Sequence, residues 1–137
     1  MIKYNVDKNN RTIVAYFEGG ITYWYDCLLH KATKTDNYCM LDDQIISNIV
    51  LDNLMNLNGV LFGMAKASET DYWNEETGKD VARAKLLRKY YNTEIRILKK
   101  MRDLIESYAK ISHDNIQNVI NNHTLRVFDY KKFITSK

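Results

Sequence analysis

The chain has 137 residues, 45% of them hydrophobic, with a formal net charge of +3, no proline and two cysteines. That length suits one domain with a buried core, and no apolar run approaches the ~20 residues needed to span a bilayer. MIKYNVDKNN at the start lacks the apolar centre of a secretory signal, and Cys27 and Cys39 are too few for a disulfide scaffold, so a cytoplasmic protein is expected.

Ile2 to Val6 alternates apolar and polar residues, as a half-buried strand does. Asp7 to Asn10 is a turn cluster and Thr12 to Phe17 a second β-rich run, which together predict a hairpin. Gly19-Gly20 ends it. In Ile21 to Ala32, Tyr25, Leu28, Leu29 and Ala32 fall on one helical face, which favours a short helix on the hairpin, with Tyr23 and Trp24 in the core or an interface. Tyr38 to Met40 reads as the start of a strand that Asp42-Asp43 interrupts. These two carboxylates have no third ligand at useful spacing and read as a solvated turn. Ile45 to Leu57 has a helical pattern. Asn58-Gly59 signals a turn, and Val60 to Ala67 a mostly buried strand in which Gly63 marks a bulge or a close backbone approach.

The stretch from Asn58 to Lys110 organises the rest. After a turn over Ser68 to Asn74, with Asp71 or Asn74 as N-cap, a helix is predicted from about Glu75 to about Lys110. Gly78 near its start allows close approach of another backbone or a ligand. One stripe runs through Leu87, Tyr91, Leu98, Met101, Ile105 and Tyr108, and a second through Tyr90, Ile97, Leu104 and Ile111. Two stripes on a helix of ~50 Å exceed what one small domain buries. They predict packing in a helical dimer or bundle with a second copy. The alternative is that the C-terminal part folds back over one stripe. That part is predicted as a short helix, His113 to Asn121, capped by Ser112, then a strand at Leu125 to Phe128 and a frayed basic tail from Tyr130 to Lys137.

The expected fold is therefore α+β: a small antiparallel sheet with a short helix, plus a long helix in the C-terminal half. It forms a single domain over 1–137, with a β-rich part (1–67), a long and a short helix (68–122) and a terminal strand and tail (123–137).

The chemistry concentrates on the long helix. Lys85, Arg88, Asn92, Arg96 and Lys99 are spaced +3, +4, +4 and +3 and share one face. Between Lys79 and Asp103 stand nine basic residues and three acidic ones. Arginine forks match phosphate oxygens, and asparagine reads a base edge or a ribose hydroxyl. Tyr72, Trp73, Tyr90 and Tyr91 lie nearby in sequence and are able to stack on a base. The competing reading is a solvated face with its aromatics turned to a partner. We nominate Trp73, Arg83, Arg88, Asn92, Arg96 and Lys99 as ligand-binding. No catalytic set, metal site or cofactor is expected: the three histidines lie far apart, Cys27 near His30 lacks an orienting partner, and no glycine falls in a phosphate-cradling pattern.

GVLFGMAKASETDYWNEETGKDVARAK resembles a pattern in small proteins of phages and prophages. There a strand of the form G-x-A-x-x-[SC]-x-x-D leads to an aromatic residue, an acidic turn and a Gly-containing, Ala/Arg-rich helix. The matching positions are Gly63, Ala65, Ser68, Asp71, Trp73, Asn74, Glu76, Gly78, Ala82 and Arg83. Among families with a defined role, the chain resembles the phage anti-Thoeris sponges, over about half its length. Those proteins sequester cyclic ADP-ribose signals made by bacterial TIR-domain enzymes. The resemblance implies a small cyclic nucleotide as ligand, a homo-oligomer with a pocket at a subunit interface, and action in the host cytoplasm without turnover. A nucleic-acid-binding accessory protein using the basic face is the alternative.

Overall fold

The computed structural model describes residues 1–68 and 72–136. Asp71, named as a possible cap and as part of the family pattern, lies outside them, as do 69, 70 and the final Lys137. The fold is α+β. Strands β1 (Ile2–Asp7), β2 (Thr12–Phe17) and β3 (Phe62–Lys66) form an antiparallel sheet in the order β1-β2-β3, accompanied by helices α1 (Gly20–Thr35), α2 (Asp43–Met55) and α3 (Glu75–Thr135). The chain divides into two compact units, Met1–Met101 and Arg102–Lys137.

In the first unit, alternation along β2 sends Ile13, Ala15 and Phe17 inward, where all three are buried. The register sets Val6, Tyr4 and Ile2 opposite them on β1, and Ala65 and Gly63 opposite Ile13 and Ala15 on β3. The hairpin turn is tied by the Asp7 carboxylate, which accepts from Asn10 N and Asn10 Nδ2. Gly19 (φ 95°) and Gly20 (φ 57°) turn the chain from β2 into α1 through left-handed backbone that side-chain-bearing residues rarely adopt. Asn58 (φ 51°) and Gly59 (φ 76°) do the same before β3, as their dipeptide predicts.

Helix α1 buries Trp24, Leu28 and Ala32, and packs on α2 through the latter's Ile46, Ile49, Val50 and Leu54. Asp42 is the N-cap of α2 and accepts from Gln44 N at 2.7 Å, which gives one of the paired carboxylates a structural role. No strand forms at Tyr38 to Met40. Asp36 there accepts from Met40 N and Leu41 N and holds a turn that seats Leu41 in the core.

Helix α3 crosses the inner face of the sheet. Asn74 caps it, its Oδ1 accepting from Thr77 N at 3.1 Å. Gly63 is a point of close backbone approach, as expected: a Cβ there would collide with the Ala82 carbonyl and with Leu86 N. Gly78 lines a cavity with Trp73 and Thr77, and the neighbour an added side chain would meet is a side chain, not backbone. It makes room for Ile13, whose Cδ1 would lie 2.6 Å from an added Cβ. The buried side of α3 is Ala82, Leu86, Thr93, Ile97 and Met101, with Tyr90 half-buried beside it.

The two predicted stripes are thus divided differently. Tyr90 and Ile97 of one and Met101 of the other face the domain's own core, whereas Leu87 and Leu98 are only half-buried and Tyr91 is 56% exposed. The small residues explain the shift. Glycine and alanine permit the closest approach to the sheet, yet contribute nothing to a pattern read from large apolar side chains.

Helix α3 also continues past Lys110 to Thr135 without the predicted break at Ser112. Leu125 to Phe128 is helical, not a strand, and the described part of the tail is helical as far as Thr135. The sequence has no glycine after Gly78 and no proline at all. The Asn-rich stretch costs only tenths of a kcal/mol per residue against better helix formers. Gln117 to Asn121 (3.0 Å) and Thr124 to the Ile120 carbonyl (2.8 Å) are bonds along the helix. The second unit consists of this helical stretch, exposed along nearly all of its length.

Candidate functional site

Arg88, Asn92 and Arg96 line one surface cleft of about 400 Å³, together with Leu57, Lys85 and Lys89. The sequence grouping by helical face therefore survives for Lys85, Arg88, Asn92 and Arg96. Lys99 is exposed and does not line the cleft, and Arg83, five residues before Arg88, falls on another side of the helix. Trp73 is half-buried in a separate cavity of about 440 Å³, with Tyr72, Asn74 and Lys66, against the start of α3. Lys85 lines both cavities. The six nominated residues thus divide into a cleft trio, a tryptophan in a second cavity, and two exposed cations outside both.

The stacking aromatics also separate. Tyr90 belongs to the core, with its ring edge-on to Trp24 at 5.3 Å and to Phe17 at 5.5 Å between centroids. Tyr91 and Tyr72 remain exposed, at 56% and 90%. Burial pushes the Tyr90 hydroxyl up to about 12 from its ordinary 10.0. The raised value means that the native state keeps a proton the unfolded chain has released. Its stabilising contribution is complete below pH 10 and is lost as pH rises toward about 12. Tyr90→Phe is expected to flatten the fall in urea-unfolding midpoint across that interval. An equally steep fall in the variant would show that another group governs it.

Lys89 was counted among the basic residues but not placed in the site. Its Nζ donates to the carbonyls of Phe62 (2.9 Å) and Val60 (3.2 Å), and Lys85 Nζ donates to that of Met64 (2.9 Å). The match is geometric: four residues of helix rise about 6 Å, and two residues of strand about 6.6 Å. Lysines spaced i and i+4 on α3 therefore meet outward carbonyls spaced i and i+2 on the edge strand β3. Burial lowers the Lys89 ammonium pKa, yet three backbone acceptors at this edge retain cationic donors. The contacts also cover carbonyls that would otherwise template a further strand.

With Lys85 and Lys89 committed to β3, the cleft presents Arg88 and Arg96 as its uncommitted cations. Neither pairs with a carboxylate among the described residues, where the ion pairs are Lys79–Glu75, Arg102–Asp103 and His113–Asp114. Two guanidinium groups flanking an asparagine amide, over the apolar Leu57, suit a ligand with anionic oxygens and a flat polar group. No cluster of three metal-ligating side chains occurs among the described residues. Cys27 is half-buried and hydrogen-bonded to Tyr23, and His30 is exposed.

The fold and cleft define a small α+β protein whose basic helical cleft has the chemistry to receive an anion. No family model, curated protein or solved structure matches the chain.

Proposed function

We propose that the protein is a non-catalytic binder that sequesters a small cyclic nucleotide of the cyclic ADP-ribose type, as a phage-encoded anti-defence protein acting in the host cytoplasm. The observation that carries this reading is the cleft of Arg88, Asn92 and Arg96, whose arginines have no carboxylate partner among the described residues. The arginines take the diphosphate and Asn92 a ribose or base edge. The resemblance of the Gly63 to Arg83 pattern supplies the ligand class. Sequestration requires affinity without turnover, so no catalytic set is needed. The resemblance also implies a homo-oligomer.

Calorimetric titration with cyclic ADP-ribose isomers tests the assignment. Arg88→Ala should weaken binding about 10- to 100-fold, the equivalent of one charge-assisted hydrogen bond of about 1.5–3 kcal/mol. Arg83→Ala should leave it unchanged. Equal affinity in wild type and Arg88→Ala removes the cleft from the account.

A nucleic-acid-binding role is the second reading, favoured by the exposed cations that the cleft leaves out, Arg83, Lys99 and Lys100. It predicts a steep loss of affinity with salt and equal contributions from cations inside and outside the cleft.

A further inference from the structure

The second unit poses a physical problem. Residues 102–135 are helical, yet most of their large apolar side chains lie open: Val119 is 54% exposed, Val127 65%, Tyr130 69% and Ile134 71%. Helices in water draw most of their stability from packing an apolar face. This stretch is rich in asparagine and β-branched residues, which are weak helix formers. Most of the exposed side chains gather on one side, with Leu125 and Phe128 outside it. Leu104, Tyr108, Ile111, Val119, Tyr130 and Ile134 recur at helical spacing within one stripe, whereas Asp103, Glu106, Lys110, Asp114, Gln117 and Asn121 occupy the opposite side.

The stripe also reads nearly the same in both directions about Val119. Positions equidistant from Val119 match in kind: Leu104 with Ile134, Ile105 with Phe133, Tyr108 with Tyr130, and Ile111 with Val127. The polar interruptions match as well, Ser112 with Arg126 and Asn115 with His123. Ile116 with Asn122 breaks the match within the stripe, and at its flanks and beyond it so do Ile120 with Asn118, Leu125 with His113 and Phe128 with Lys110. Self-complementarity of this kind is what an isologous two-fold contact requires, since each residue meets its counterpart from the other copy.

We propose that the 102–135 stretch of α3 pairs antiparallel with the same stretch of a second copy, about a two-fold axis at Val119. The antiparallel sense follows from the polar slots. It sets Arg126 beside Ser112 and His123 beside Asn115, whereas a parallel pair in register opposes Arg126 to Arg126. At roughly 60 Å² or more for each large side chain removed from water, the stripe buries on the order of 1,000 Å² over both copies, the size at which a specific interface becomes stable. The inference rests on the homo-oligomer part of the proposed function and not on its nucleotide, so the two fail separately: one is read by mass, the other by ligand uptake.

Sedimentation equilibrium of the full chain tests the pairing. Wild type should have twice the 16.2 kDa chain mass. Val119→Glu, which sets two like charges at the axis, should return it to 16.2 kDa with the Trp24 fluorescence of the first unit unchanged. Monomeric wild type at high micromolar concentration, or a dimer undisturbed by Val119→Glu, overturns the proposal. Orientation is read in a Cys27→Ser/Cys39→Ser background. Val119→Cys should crosslink to itself, and Ser112→Cys should crosslink only when mixed with Arg126→Cys. Ready crosslinking of Ser112→Cys to itself overturns the antiparallel arrangement.

Discussion

Gly63→Val is expected to destabilise the first unit by more than about 3 kcal/mol. The position has no unusual backbone angle to protect; what it protects is distance. Its missing side chain lets β3 meet the α3 backbone, and a Cβ would drive into the Ala82 carbonyl and Leu86 N. Neither is the end of a flexible side chain, so relief requires moving the helix or the strand. Overpacking a core against flexible neighbours costs about 1–3 kcal/mol, and a backbone collision exceeds that range. Moving α3 outward would also break the Lys85 and Lys89 bonds to β3 and unseat Leu86, which is fully buried. Against a total stability of about 5–15 kcal/mol, a penalty beyond ~3 kcal/mol removes a large share of the folding free energy. Gly59→Ala is the control. It has open space around its Cβ position and a φ of +76°, so only the left-handed strain of about 1–2 kcal/mol applies. Urea unfolding followed by tryptophan fluorescence compares the two, and a Gly63→Val midpoint near that of Gly59→Ala would refute the close-approach argument.

Trp24→Ala should cost about 3–5 kcal/mol, the range for removing a large aromatic from a packed core. Trp24 is fully buried where α1, β2 and α3 meet, edge-on to both Phe17 (5.8 Å) and Tyr90 (5.3 Å). Its Nε1 is buried without a hydrogen-bond partner among the described residues. An unpaired buried donor carries a desolvation penalty of about 1–3 kcal/mol, which sets an opposing term on Trp24→Phe. That variant loses ring volume but also removes the orphan donor, so it should cost about 1.5 kcal/mol or less, near the range of volume-conserving swaps. Calorimetric melting should therefore rank wild type and Trp24→Phe close together and Trp24→Ala far below. Equal losses in both variants would mean that the indole N–H is satisfied in solution.

The parts of the fold that were legible in sequence were those whose local chemistry and tertiary role agree. The hairpin, the glycine turns, α1, α2 and the cap at Asn74 all announce themselves through period or turn residues. The extent of α3 was not legible, because Ser112 and the Asn-rich run resemble cap and break signals while costing too little to end a helix once it is running. Nor was the face α3 buries, since Gly78 and Ala82 direct it through their smallness. The cleft trio followed from spacing on one face. Lys89 did not, because its role depends on the edge of β3, which only the strand order reveals. Trp73 shows the limit of nearness in sequence: it stands just before the helix, but lines a different cavity.

Native mass spectrometry of the full chain mixed with a cyclic ADP-ribose isomer tests the central claim most directly. The proposed function predicts a stoichiometric complex that retains the intact, unaltered nucleotide, and loss of that mass in Arg88→Ala. Bare protein in the presence of excess ligand, or release of a hydrolysed product, would contradict it.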